Sequence, residues 1–411
     1  MKFLLLTQYY PPESGSASIK MAELAEYLVD RGHYVTVVTG FPNYPYGKVY
    51  RDYKMGFYKK EIMKGVNIIR TPLYITPKRR SFKHRLLNHV SFMLTSIYGG
   101  LLSGKPDLIY WYSPPLFLGF SAWVLKKIFR VPVVAEINDL WPQAPIALGI
   151  VKNKYIKKIA EWFERFIYDR TDYLFFYSKI MAKELINKGV SQDKIEINSL
   201  WISIDDFCLK SLDEISKLKV EQDINGKFIV MYTGYIGFAQ GLDVVIKVAK
   251  ELKSFFDIIF VIIGDGPEKE VLVKEAKDLG LRNIKFIPFQ STEKIPVFLS
   301  AADVLFAHLN PAPHRKGTIP AKILAYMSIG KPVLIAAQGE AAYIVEESKG
   351  GIAVEPRDSS AISGAILGLY RNKDTRLQMA KSARAYAVSH FDRNKILEKL
   401  ETRLYAIAKK K

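Results

Sequence analysis

Cysteine is almost absent from this sequence: Cys208 is the only one in 411 residues. A single thiol excludes an internal disulfide framework and a cysteine-based zinc site, and it fits a reducing cytoplasm. The six histidines fall at no ligand-like spacing, so each reads as a surface or packing residue and no metal is expected. The first apolar run, residues 2–7, meets Gln8 and then Tyr9-Tyr10-Pro11-Pro12, which is too early for a secretory signal and is read as a first β-strand. Residues 86–104 contain no Asp, Glu, Lys or Arg, but Asn88, His89, Ser91, Thr95, Ser96 and the Gly99-Gly100 pair argue against a membrane span. Acidic charge is scarce: 41 acidic residues face 60 basic ones, a net charge of +19.

The basic excess leans toward the first half, where residues 1–205 hold 29 basic and 17 acidic residues. Nucleic acid and anionic lipid are the two obvious partners for such a surface. No zinc-finger spacing or aromatic-basic RNA-binding pattern is present, so nucleic acid is not expected. Lys78-Arg79-Arg80 and Lys83-His84-Arg85 lead into the uncharged stretch, which fits a helix lying on lipid. Residues 152–170 form a second basic-apolar helix pattern, with Lys154, Lys157 and Lys158 beside Ile156, Ile159, Phe163 and Ile167. Both patterns point to an anionic membrane surface as partner.

Strand and helix signals alternate through both halves. Strands are expected at 2–7, 34–39, 66–70, 107–111, 131–136 and 173–177, then at 228–232, 258–263, 284–286, 304–306 and 333–336. Ala17, Met21, Leu24 and Leu28 recur at helical spacing after the first strand, and Leu242, Val245, Ile246, Ala249 and Leu252 do so in the second half. The alternation predicts an α/β chain with two Rossmann-like parallel sheets. Charged and polar residues predominate around 200–227, which places a boundary there. The expected domains are 1–200, with a C-terminal helix over 392–411 packing back on it, and 201–391.

Three loops carry the chemistry. Between the first strand and helix, Glu13-Ser14-Gly15-Ser16-Ala17 offers small residues and a helix start to an anion. Gly234-Tyr235-Ile236-Gly237-Phe238-Ala239-Gln240-Gly241 occupies the same place in the second half and suits a diphosphate. It lacks the Gly-Lys-Ser/Thr ending of an ATPase loop and the glycine spacing of a dinucleotide fingerprint. The third loop is Gly264-Asp265-Gly266-Pro267-Glu268, after an apolar strand. Asp139, beyond the strand that carries Glu136, is a candidate acceptor of a proton or ligand of a sugar, with Glu136 as a second carboxylate.

Together these segments resemble glycosyltransferase family 4, of the two-domain GT-B type. Gly264-Asp265-Gly266-Pro267-Glu268, Leu279-Gly280-Leu281, Ala302-Asp303-Val304, Ile319-Pro320-Ala321-Lys322 and Gly330-Lys331-Pro332-Val333 carry the likeness in the second half. Gln8-Tyr9-Tyr10-Pro11-Pro12-Glu13, Phe41-Pro42-Asn43-Tyr44-Pro45 and Asp139-Leu140-Trp141-Pro142 are similar to the branch of N-acetyl-fucosamine transferases of O-antigen and capsule synthesis. The resemblance implies two Rossmann-like domains facing across a cleft, no metal, and transfer that retains anomeric configuration. It also implies a UDP-linked donor, an N-acetyl-hexosamine or deoxy derivative, and a polyprenyl-diphosphate-linked glycan acceptor at the inner face of the cell membrane. Such a chain works in O-antigen (lipopolysaccharide), capsule or exopolysaccharide synthesis.

The family's diphosphate loop commonly carries an Arg and a Lys, where this chain has Tyr235 and Gln240. Arg315, Lys316 and Lys322 are then expected to supply the positive charge. The family's two acidic positions are occupied by Gly317 and Ala325. Glu346 and Glu347, read as a helix entry, are candidates for the ribose contact that Ala325 cannot make. A UDP-N-acetylglucosamine 2-epimerase and a nucleotide-sugar-binding protein without catalysis are the alternative readings of the same fold.

Overall fold

A computed structural model describes residues 1–77, 81–147, 149, 151 and 153–410. The basic triplet Lys78-Arg79-Arg80 and the start of the second basic segment, Lys152, lie outside the described residues. The chain divides into two compact units: Met1–Asn198 with Leu397–Lys411, and Ser199–Ile396.

Among the described residues, the first unit's sheet contains β1 (Lys2–Leu6), β2 (Tyr34–Gly40), β3 (Lys59–Met63), β4 (Val66–Thr71), β5 (Leu108–Ser113), β6 (Val133–Ile137), β7 (Tyr173–Phe176) and β8 (Ile195–Ile197). Their spatial order is β3-β4-β2-β1-β5-β6-β7-β8, parallel throughout except for the β3–β4 pair. The second unit's sheet contains β9 (Phe228–Thr233), β10 (Ile258–Ile263), β11 (Ile284–Ile287), β12 (Val304–His308), β13 (Val333–Ala336) and β14 (Gly351–Val354), in the all-parallel order β11-β10-β9-β12-β13-β14.

Burial explains which strands the sequence discloses. Every residue of β5, β6 and β9 is buried, because helices cover both faces of a parallel sheet, and such strands read as unbroken apolar runs. β3 has no such run: its residues Lys59-Lys60-Glu61-Ile62-Met63 alternate between exposed and half-buried at the sheet edge. It pairs through the tight Lys64-Gly65 turn, where both residues have positive φ. The segment read as a polar break contains a helix, Leu212–Glu221, started by a capping box in which Ser211 and Glu214 satisfy each other's backbone.

The last helix, Arg393–Lys409, is clipped to the first unit by ion pairs. Glu401 bonds His33 Nε2 at 2.9 Å and Arg31 Nε at 3.2 Å, and Arg403 grips Glu196 with two nitrogens. Among the described residues no helix is long and apolar enough to cross a membrane. Most of the uncharged stretch lies in the helix Phe82–Leu102, whose Phe92, Ser96, Gly99 and Gly100 are buried against its own unit.

Candidate functional site

In a parallel sheet every strand ends at the same edge, and each following helix begins there, so loops and free helix N–H groups collect at that edge. In the second unit the helix Ala321–Ile329 begins this way. Pro320 at its N-cap supplies no side-chain hydrogen bond, and its first turn contains no acid. That turn instead contains Lys322. A cation at the positive end of a helix dipole is unfavourable unless an anion joins it. The Lys322 ammonium lies 3.5 Å from the centre of the Tyr232 ring and forms no ion pair with a described carboxylate. Burial pushes its pKa well below the usual lysine range. It stands over the glycine-rich loop: a Cβ built at Gly234 would approach Lys322 Nζ to 3.0 Å.

The loop after β9 is pinned around this cation. Tyr326, one turn along the helix, accepts from the Thr233 amide at 2.9 Å, and Tyr232 donates to the Tyr235 carbonyl at 2.7 Å. Gly264 and Gly266 are needed for loop-to-loop packing. A Cβ at Gly264 would meet the Gly234 carbonyl oxygen at 1.9 Å, and one at Gly266 would meet that of Ile236 at 2.1 Å. These two glycines let the loop after β10 carry the diphosphate-loop candidate. Gly237 has the ring of Tyr235 against it, and Gln240 turns its Oε1 inward, buried and without a hydrogen bond.

Arg315 is half-buried and donates to the Asn310 carbonyl at 3.1 Å, while Lys316 is exposed. The Lys316 carbonyl accepts from the Glu340 amide at 2.7 Å, and Gly339 is required there because a Cβ would stand 2.1 Å from that oxygen. The cationic loop is thereby tied to the start of the helix Glu340–Glu347.

Glu346 and Glu347 are placed elsewhere, and the reading of them as a helix entry is corrected. That helix leaves the carboxyl end of β13 and delivers the chain to the amino end of β14, where Gly351 pairs with Val333. Its last turn therefore lies at the opposite sheet edge, where the Glu347 carboxylate accepts from Tyr386 at 3.0 Å. The acid at the helix entry is Glu340, nine-tenths buried. Ala325 lies on the face of the 321–329 helix that carries Lys322, and it is buried. Ala325→Glu places a carboxylate one turn below Lys322. It is expected to tighten UDP binding about tenfold, as a charge-assisted bond does. Calorimetry on both proteins checks this, and unchanged affinity removes the position from the ribose contact.

In the first unit, Gly15 (φ 149°) and Ser16 open the helix Ser16–Asp30, again with no side-chain cap and no acid in the first turn. Buried Glu13 accepts from the Asn43 and Tyr44 amides at 2.7 and 2.8 Å, tying the first loop to the 41–45 segment. One turn into the helix, Lys20 reaches Glu136 Oε1 at 3.7 Å. Glu136, at the end of β6, also accepts from Tyr110 OH and from Asn138 Nδ2. Glu136, the second carboxylate of the sequence reading, is thus the hub of a buried network. Asp139 differs. The residue reaches the surface, yet the protein packed around its carboxyl pushes the pKa up to about 6.

Lys20, Tyr110, Tyr326 and His308 were missed by sequence reasoning. Lys20 gave a signal, since it sits three residues after Ala17 and four before Leu24, on the buried stripe. Among the described residues no three His, Cys, Asp or Glu side chains gather as a metal site.

Residues 16–201 match the family described as Glycosyl transferase 4-like domain, and residues 214–386 match Glycosyl transferases group 1. Over 97% of this chain and 98% of the relative, the sequence is 30% identical to Escherichia coli K12 WcaI, whose name makes it a glycosyl transferase of colanic acid biosynthesis. It is 24% identical to the 2-deoxystreptamine N-acetyl-D-glucosaminyltransferase of Niallia circulans, over 92% of this chain and 94% of that one. Anabaena HepE, solved in complex with UDP, superposes with a TM-score of 0.73 at 18% identity, covering 99% of this chain and 100% of that one. Two parallel-sheet units, each opening glycine loops and uncapped helices at one sheet edge, match the fold of those enzymes, and the chain belongs to the GT-B glycosyltransferases, joining a 4-like domain to a group 1 domain.

Proposed function

We propose that the chain transfers a sugar from a UDP-linked donor, an N-acetyl-hexosamine or deoxy derivative, to a polyprenyl-diphosphate-linked glycan, with retention of anomeric configuration, in O-antigen, capsule or exopolysaccharide synthesis. The observation that carries the donor half is Lys322, a half-buried cation against the Tyr232 ring, without a described carboxylate partner, in the first turn of an uncapped helix. A diphosphate supplies the missing negative charge, and its charge grows as the glycosidic bond breaks. The glycine-rich loop Gly234–Gly241 and Arg315 add backbone and guanidinium donors to the same anion. UDP is preferred because the Anabaena relative was solved with it.

In retaining transfer the acceptor oxygen bonds to the anomeric carbon on the face the diphosphate leaves. The carbon–oxygen bond to phosphate breaks, its electron pair stays on the phosphate, and the acceptor proton passes to that oxygen. Asp139 orients the acceptor hydroxyl. Glu136, engaged with Lys20 and Tyr110, positions the end of β6 that carries it.

A lipid-borne acceptor fits the first unit's surface. Along the helix Lys154–Arg170, Ile159 and Trp162 are each 64% exposed, on one face with exposed Tyr155 and Lys158. Trp, Ile and Lys on one outward helix face suit the inner leaflet of an anionic bilayer. One experiment tests the whole reading. A panel of sugar nucleotides is incubated with polyprenyl-diphosphate sugar in phosphatidylglycerol vesicles, which are then sedimented. The expected result is glycan extension from a UDP-sugar with the protein in the pellet. A free epimer or no product overturns transfer, and protein left in the supernatant overturns the membrane assignment.

A further inference from the structure

His308 ends β12 and is 2% exposed, a buried imidazole with no part in the donor contacts described above. Its two nitrogens face partners of opposite kind. Nδ1 lies 2.6 Å from the Gln240 carbonyl oxygen, which can only accept. Nε2 lies 3.2 Å from the Arg357 amide, which can only donate. The ring is therefore neutral, with its proton on Nδ1. Around it, the second half of the glycine-rich loop is held carbonyl by carbonyl. Asn310 takes the Phe238 oxygen with its side chain and the Ala239 oxygen with its amide, the latter at 2.9 Å, while His308 takes that of Gln240. The far side is closed by Arg357, whose guanidinium bonds Asp243 at 2.6 Å and Asn310 Oδ1 at 3.2 Å. At Gly241 (φ 55°) a Cβ would lie 2.2 Å from Asn310 Oδ1, so a larger residue there displaces the Asn310 side chain.

We propose that His308 is the positioning residue of the donor loop: its neutral ring, donating to Gln240 and accepting from Arg357, holds residues 237–241 in the shape that receives the diphosphate. The proposal rests on the donor-site reading above. It assigns the residue a role through the loop and no contact with substrate.

A neutral-only bridge makes loop shape depend on pH. Protonation puts a hydrogen on Nε2, which then repels the Arg357 amide it was accepting from. The charged groups facing the ring are Arg357, which opposes its charging, and Asp243 at the start of the helix Asp243–Glu251, which favours it. The neighbouring strand β13, Val333-Leu334-Ile335-Ala336, and the loop Gly234–Gly241 carry no charge. Burial is the largest influence and depresses the imidazole pKa below 6.5. The sign follows: the bridge is complete above the unfolded value and is lost as pH falls through the lower, folded value.

Calorimetry with UDP-glucose between pH 5 and 8 reads this. UDP alone would confuse it, because a terminal phosphate titrates near pH ~6. In the unmodified protein, affinity is level above neutrality and falls about tenfold toward acid, the scale of one or two lost hydrogen bonds. His308→Phe keeps a ring and loses both bonds, so it binds about tenfold more weakly at pH 7.5, with no acid fall of its own. His308→Asn keeps a donor toward Gln240 and cannot titrate, so it binds within about threefold of the unmodified protein and is also level toward acid. Near-ultraviolet circular dichroism verifies that each variant is folded. A His308→Phe protein that binds like the original, or a His308→Asn protein that retains the acid fall, overturns the proposal. If UDP-glucose fails to bind even the unmodified protein, the donor reading fails, and hydrogen exchange decides the role of His308 by itself. The amides of Gln240 and Asn310, bonded within the loop cradle, exchange faster in His308→Phe if His308 holds the loop and unchanged if it does not.

Discussion

Replacing Lys322 by methionine is expected to make the unliganded protein more stable and almost unable to bind its donor. The two effects share one cause. Methionine nearly matches the lysine stem in volume and keeps contact with the Tyr232 ring, but it removes a half-buried ammonium with no described carboxylate beside it. The free protein therefore loses a desolvation penalty, and its Tm rises. The donor loses the cation that faces its diphosphate. Removal of one preorganised donor to a developing anion costs roughly 100- to 1,000-fold in kcat, and binding of UDP is expected to weaken by about 100-fold, or about 2.8 kcal/mol. Differential scanning calorimetry and titration calorimetry on the same sample separate the outcomes. A lower Tm with UDP affinity retained would make Lys322 a packing residue and remove the support for the donor site.

Asp139→Asn carries the second large effect. Transfer is expected to fall by about 100-fold, the scale of a charge-assisted hydrogen bond lost from the acceptor hydroxyl, with UDP affinity unchanged. The pH dependence fixes the direction. The Asp139 carboxyl is pushed up to about 6, so its ionised form, the one that orients the acceptor hydroxyl by accepting its hydrogen bond, fills in as pH rises through that value. Transfer by the unmodified protein should climb through about pH 6 and level off above it. The sign for stability runs the other way. A carboxyl whose folded pKa lies above its unfolded 3.8 binds protons more tightly when folded, so ionised Asp139 slightly opposes folding at neutral pH. The asparagine variant should therefore melt no lower than the original at pH 7.5, and its inactivity would then not come from unfolding. Full turnover by Asp139→Asn, or an unmodified profile flat across pH 5 to 7, removes Asp139 from the chemistry.

Legibility in the sequence tracked burial. β1 after Lys2, β5 up to Ser113 and β9 up to Thr233 are unbroken apolar runs because two helix layers cover them, and a run of that kind is visible in one sequence. β3 was invisible because an edge strand needs no such run, and the capped helix Leu212–Glu221 passed for a polar linker because most of its residues face water. The glycine loops were found, but the reason for two of their glycines was not. Gly264 and Gly266 are fixed by the Gly234 and Ile236 carbonyls across a loop contact thirty residues distant in the chain. The glutamates at 346 and 347 do not stand at the helix entry, because a helix of eight residues carries its end roughly 12 Å from its start, toward the other sheet edge.

The sequence by itself determined the alternating α/β plan, the glycine loops, the basic surface and the family, because each is written in residue type and short-range spacing. Tertiary structure alone decided which charges are free to act. Lys322 and Lys20 are both lysines near the starts of helices, yet one stands beside a tyrosine ring without a described carboxylate and the other is matched by Glu136. Asp139 and Glu136 are three residues apart, yet one is open to water and the other is the buried hub of a network. Desolvation and partners set those differences, and both come from residues distant in sequence that only the folded sheets bring together.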